Sequence, residues 1–255
     1  MVLLSFLVVT GCSRRDILDD YPVSGVEVRL DWSGVTEKLP EGVRIIFYPK
    51  DEKGRKIDTY LSVTGGEVKV PSGHYAVVIY NYDTETVLIR GEESYETIQA
   101  YTNFCKLGIA GTEKMVWGPD PLYVVNIDDL DIQNSEETLI LKLKPKLVIR
   151  TYSFSIKVQG LSNVSNVIGS IGGMADHYFL GKAYAMCDDY PINIDLNVKA
   201  GKIEGVFTTF GLPEAIITRL EIKLPVMMNL MIIKVDNSVQ EVKINITEAV
   251  QEPTG

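Results

Sequence analysis

Catalysis and metal binding need nucleophiles, bases and soft or anionic ligands, and this chain carries few candidates in suggestive spacing. It has two histidines, His74 and His177. His74 sits between a turn glycine and Tyr75, with no motif supplying a nucleophile or an orienting acid, so it reads as a surface or edge residue. His177 follows Asp176, which suggests a dyad, but neighbours on a strand point to opposite faces. Asp128, Asp129 and Asp131 lack the spaced acids, glycine and distal glutamate of a calcium loop and read as a solvated acidic loop. Asp188-Asp189, ahead of Tyr190-Pro191, read as a turn. Gly169-Ser170-Ile171-Gly172-Gly173 has no Gly-Lys-Ser/Thr after it, which argues against a phosphate loop. Three cysteines are too few and too scattered for a disulfide scaffold or a zinc site; Cys105 and Cys187 could form a disulfide in an oxidising compartment, but they fall in different predicted domains and read as two buried thiols. Thirteen tyrosines read chiefly as sheet-packing residues, and no cluster marks a sugar-stacking platform. The residues therefore assign no catalytic, cofactor-binding or metal-binding position, and the chain reads as a non-enzyme.

Composition removes further classes. The 255 residues include 25 basic and 34 acidic side chains, a net charge of −9, which argues against nucleic acid as a partner. At 45% hydrophobic and 23% charged, the chain has the material for packed cores. No apolar run reaches the ~20 residues of a membrane-spanning helix.

The N-terminus is the most informative short segment. Val2 to Val9 is apolar and of signal-peptide length, and Val9-Thr10-Gly11-Cys12 leads into polar Ser13-Arg14-Arg15-Asp16. This pattern resembles a bacterial lipoprotein signal, although no basic residue precedes the apolar run. Small residues suit the cleaving peptidase, and the Cys12 thiol is the side chain able to form a thioether to diacylglycerol. The expectation is a signal peptide over 1–11, a lipidated tether over 12–24 and attachment to the outer membrane. Asn163-Val164-Ser165 and Asn245-Ile246-Thr247 match the glycosylation sequon but mean little in such a setting.

Elsewhere the chain alternates. Val26 to Trp32, Glu67 to Val70, Ile192 to Val198 and Val242 to Ile246 place apolar and polar residues in turn, as half-buried strands do. Denser runs at Val43 to Tyr48, Tyr75 to Tyr80 and Met227 to Val235 read as central strands. The best helix candidate is short, Ser94 to Tyr101. Many short strands between turn signals predict an all-β fold of the sandwich or barrel type. The inward phase is odd from Leu139 to Ile149 and even from Tyr152 to Val158. That switch suggests a junction between two sandwiches, spanning 25–149 and 150–250, with a tail over 251–255.

Gly66 to Tyr75 forms a strand, tight turn and strand, V-x-V-P-x-G-x-Y, in which Pro71 ends a ladder and Gly73 supplies turn freedom. The unit resembles the transthyretin-type sandwiches of bacterial surface lipoproteins. With Val43 to Pro49, Asn81 to Glu85, Tyr95 to Thr102, Met115 to Gly118, Gly172 to Ala175, Gly205 to Gly211 and Val242 to Thr247, it is similar to the fimbrillin-like lipoproteins. That family includes subunits and membrane anchors of type V fimbriae and an uncharacterised branch, which this sequence fits best. The resemblance implies two tandem transthyretin-like sandwiches with little helix, lipid attachment, a cell-surface location and no enzyme activity or cofactor. It also implies other fimbrial subunits as partners, joined by β-strand addition. Family anchors keep the lipidated N-terminus, whereas polymerising subunits lose an N-terminal strand after an arginine; Arg29 and Arg44 are the candidates for such a cut. Val242, Ile244 and Ile246 alternate as a donated strand would, or as one closing its own sandwich. The competing function is a glycan-binding surface lipoprotein of a nutrient-uptake system.

Overall fold

The computed structural model describes residues 23–51, 54–105, 114–199, 201–214 and 225–251. Its first half contains β1 (Val23–Leu30), β2 (Gly42–Pro49), β3 (Ile57–Ser62), β4 (Gly65–Pro71), β5 (Gly73–Asn81), β6 (Val87–Arg90), β7 (Gln99–Thr102), β8 (Phe104–Cys105), β9 (Met115–Val116), β10 (Tyr123–Ile132), β11 (Leu139–Leu143) and β12 (Lys146–Leu147). The second half contains β13 (Arg150–Lys157), β14 (Val164–Gly172), β15 (His177–Phe179), β16 (Tyr184–Met186), β17 (Ile192–Lys199), β18 (Lys202–Thr209), β19 (Met227–Lys234), β20 (Val239–Asn245) and the short helix α1 (Thr247–Gln251). The chain is all-β and of sandwich type, as the alternation predicts, and no described helix is long and apolar enough to cross a membrane.

Eight strands form the first sheet in the order β11-β1-β4-β3-β2-β5-β10-β12. Val26, Val28 and Leu30 of β1 and Val68 and Val70 of β4 meet Val43, Ile45, Phe47, Val77 and Ile79 in one core, so the sheet curls onto itself. The other face of β2 and β5, carrying Ile46, Tyr48, Ala76, Val78 and Tyr80, is buried in a second core. Burial on both faces explains the dense apolar runs of these two strands, which alternation alone would not require. Met227 to Val235 follows a different rule: Met228 and Leu230 are buried, but the residues between them are only half-buried, so β19 has one core face although it lies between β14 and β20.

The second core is covered by a four-stranded sheet, β16-β15-β7-β6, built by strands from both halves. Its residues Val87, Ile98, Ala100 and Ile149 meet Ala175, Leu180, Ala185 and Phe210. The last large sheet runs β13-β18-β17-β14-β19-β20 around a third core. Strand β17 switches partners, pairing with β14 through Ile194 and with β18 from Asp195. First-half strand β9 adds to it in parallel, Val116 opposite Ile192. The chain passes from the first sheet to the third core between Leu147 and Tyr152; Leu147, expected inward, is exposed, Ile149 is buried in the second core and Tyr152 packs against the third.

Two local expectations are corrected. Ser94 to Tyr101 is not a helix: one turn closes with Ile98 N–H to Ser94 O, and the chain then enters β7, drawn out by pairing with β6 and β15. The acidic run is not a loop either. Asp128, Asp129 and Asp131 lie within β10, where a register shift between Ile127 and Leu130 marks a bulge that leaves their side chains exposed.

Candidate functional site

β1 sits between parallel β11 and antiparallel β4, hydrogen-bonded on both sides. Val26 and Val28 are buried to 0% and 1% exposure, and each such side chain stabilises its seat by about 1.5–3 kcal/mol. Ser24 Oγ donates to Gln133 O at 2.7 Å, tying the strand's start to the end of β10. Gly65, at φ 102°, lets the β3–β4 turn approach β1 so closely that a Cβ there would lie 2.0 Å from Val28 O. Both arginines considered as cleavage points lie inside paired strands. Arg29 pairs with Glu27 at 2.8 Å on the outer face of β1, holding the Glu27 carboxyl below its ordinary range. Arg44, in β2, donates to Asp58 at 2.7 Å, to Glu92 at 2.8 Å and to the Tyr80 hydroxyl at 2.8 Å. The Asp58 carboxylate, with Glu92, holds the guanidinium charged. Cys12 lies outside the described residues.

At the other end of the chain β20 pairs with β19, and among the described residues its outer edge has no strand partner. Val242, Ile244 and Ile246 are half-buried against the third core. The segment is tied down beyond the strand: Ile246 N–H donates to Val226 O at 2.9 Å, Val226 N–H donates to Thr247 Oγ1, and Val250 of α1 is buried in the same core. In this arrangement β20 pairs within its own sheet as the last strand of its order.

The chemistry-bearing residues gather differently from the sequence expectation. His74 is exposed beside Asp129 and Asp131, and Lys50 first, then His74, holds the Asp129 carboxyl below its usual range. Asp176 and His177, expected to face apart, are in contact at 2.5 Å and both buried. The alternation rule fails because Asp176 precedes β15, on a bend that follows Gly173 at φ 81°. Asp188 joins them at 3.9 Å from His177 Nδ1, across a turn with Asp189 at φ 65°. Among the described residues each histidine bonds to aspartates and to no serine, threonine or cysteine. Cys105 and Cys187 are both free thiols; Cys105 is buried as expected, whereas Cys187 is only half-buried. Burial pushes Cys187 up to about 11, helped by the charges of Asp176, Asp189 and Asp188, so it is a poor nucleophile at neutral pH. Tyr60 and Tyr82 form an exposed edge-to-face pair at 5.2 Å that the sequence did not mark, because β3 and the end of β5 bring them together only in the sheet.

Residues 11–195 match the family model described as "Domain of unknown function (DUF5119)". The chain belongs to this family. It is also 52% identical over 261 residues to a Bacteroides ovatus protein named "Putative fimbrium anchoring subunit Fim4B", covering 98% of this chain and 78% of that protein. A crystal structure described as a "putative adhesin" from the same species matches with TM-score 0.84 at 52% identity, over 95% of this chain and 89% of the other. The fimbrial anchor protein Mfa2 from Porphyromonas gingivalis shares the fold, with TM-score 0.58 at 14% identity over 91% and 85% of the two chains. The fimbrillin-like resemblance read from the sequence is thus matched by the relatives of this DUF5119 chain.

Proposed function

We propose that this DUF5119 protein is a non-catalytic, lipid-attached anchor of a cell-surface fimbrium. The observation that carries the reading is the occupied N-terminal seat: β1 is buried between β11 and β4, and neither Arg29 nor Arg44 lies in an accessible loop. A subunit that keeps this strand has no vacant groove there for a neighbour's strand. The relative named as a fimbrium anchoring subunit, alike over nearly the whole chain, supports the same assignment. In this reading residues 1–11 are removed, Cys12 carries the lipid in the outer membrane, residues 12–24 form the tether, and the two sandwich units meet at 149/150. Fimbrial subunits join by strand addition, and the open edge of β20, with Val242, Ile244 and Ile246 at its back, is the place offered.

The test pairs membrane fractionation of a Cys12→Ala form with electron microscopy of cells lacking the gene. The expected result is loss of the variant from the outer-membrane fraction and release of fimbriae from the deleted strain. Firm membrane retention of Cys12→Ala, or cell-bound fimbriae unchanged without the gene, overturns the proposal. The exposed Tyr60 and Tyr82 pair favours a second reading, glycan binding, which would show as a glycan-array signal lost in Tyr60→Ala.

A further inference from the structure

The cluster of Asp176, His177 and Asp188 has no part in the anchoring reading, and its geometry is that of a ligand set. We propose that these three side chains bind a divalent cation of the zinc type. One donor atom from each lies within 4.8 Å of the others. Donors around a tetrahedral zinc at about 2.0–2.2 Å stand roughly 3.4 Å apart. The separations from His177 Nδ1, 2.5 Å to Asp176 Oδ1 and 3.9 Å to Asp188 Oδ2, bracket that value. An entering ion needs the first pair to open and the second to close by less than an ångström, and the two carboxylates, within 4.8 Å of each other, to come to the same spacing.

The surroundings favour the ion in three ways. Asp176 Oδ2 already accepts the N–H groups of Asp188 at 2.9 Å and Tyr190 at 3.3 Å, which fixes the carboxylate with Oδ1 toward the imidazole. Outer hydrogen bonds of this sort orient metal ligands. Second, the charge is unbalanced: two carboxylates face one imidazole, with Arg90 only at the margin, 4.0 Å from Asp188. Asp176 and His177 are 6% and 4% exposed, so a divalent charge there offsets the cost of a buried carboxylate. Third, Asp188 is half exposed and gives the ion an entry route, with water completing its shell. Imidazole with carboxylates suits zinc, whereas calcium and magnesium take oxygen shells. The site lies on the seam between the halves, since His177 pairs with Tyr101 of β7 and Met186 of β16. Its occupation would tie the turn after β16, through Asp188, to the start of β15.

The test is calorimetric titration of zinc into the purified, chelator-treated full-length chain, with cobalt absorption as a second readout of coordination. One equivalent should bind. Asp188→Ala changes an exposed side chain and leaves the fold intact, yet should weaken binding at least about 100-fold. His177→Asn should abolish the cobalt band, while His74→Ala and Cys187→Ser should leave both signals unchanged. Absence of stoichiometric binding to the unsubstituted chain overturns the proposal. So does binding that survives Asp188→Ala, or binding lost in Cys187→Ser or His74→Ala.

Discussion

Leu180 tests how firmly the two halves are joined. It follows β15 in the second half, is 0% exposed, and donates its N–H to Ile98 O at 3.0 Å. Its side chain packs in the core that also holds Ile46, Val78, Ile98 and Ile149 from the first half. Truncating a leucine so completely buried removes its transfer energy and leaves a cavity, a loss of about 3 kcal/mol. With a urea slope of about 3 kcal/mol/M for a chain of this size, Leu180→Ala lowers the unfolding midpoint by about 1 M. The assay uses Trp32 as the single fluorophore in a Trp117→Phe background, because Trp117 follows β9, which pairs with β17 of the second half. Trp32 packs edge-on against Tyr123 at 5.2 Å and donates its indole N–H to Val63 O, so its fluorescence reports the first half. A second-half substitution should therefore shift a first-half signal, in step with far-ultraviolet circular dichroism. If the tryptophan midpoint stays put while a separate dichroism transition moves, the halves unfold independently and the shared-core argument is wrong.

Gly65→Ala should destabilise the native state by about 1–3 kcal/mol, because φ 102° and the approach to Val28 O leave no room for a methyl group; an unchanged melting temperature would contradict the seating of β1. Native protein should resist trypsin at Arg29 and Arg44 until it unfolds, as both lie within central strands; N-terminal sequencing that finds a rapid native cut at either would remove the main support for a retained strand. Cys187, pushed up to about 11, stays protonated at pH 8 and should react with a disulfide reagent roughly a hundredfold more slowly than in urea; equal rates would show that burial does not control it. Val250→Asp should destabilise the third core and free the C-terminal segment, read as faster amide exchange in β20 than in β14.

Alternation made most of the strands legible. Val26, Val28 and Leu30 point inward in the structure as their spacing requires, because a strand's side chains have a period of two whatever surrounds them. The same rule misread Asp176 and His177, since it holds only where both residues are inside the strand. It could not identify β7 at the end of the helix candidate Ser94 to Tyr101 either. Four residues between partners become a strand because β6 and β15 lie on either side, and β15 is distant in sequence.

The sequence by itself determined the all-β class, the acidic surface, the lipoprotein-like start and the likeness to fimbrillin-like lipoproteins, all of which rest on composition, period or short motifs. Tertiary structure alone decided what lies on the second face of β2 and β5, which strands bridge the halves, and that Asp188 comes to His177 from eleven positions down the chain. The physical reason is the same in each case. Alternation says which side chains turn away from water, but which partner covers them depends on how distant segments close around one another, and that is settled by packing between residues far apart in sequence.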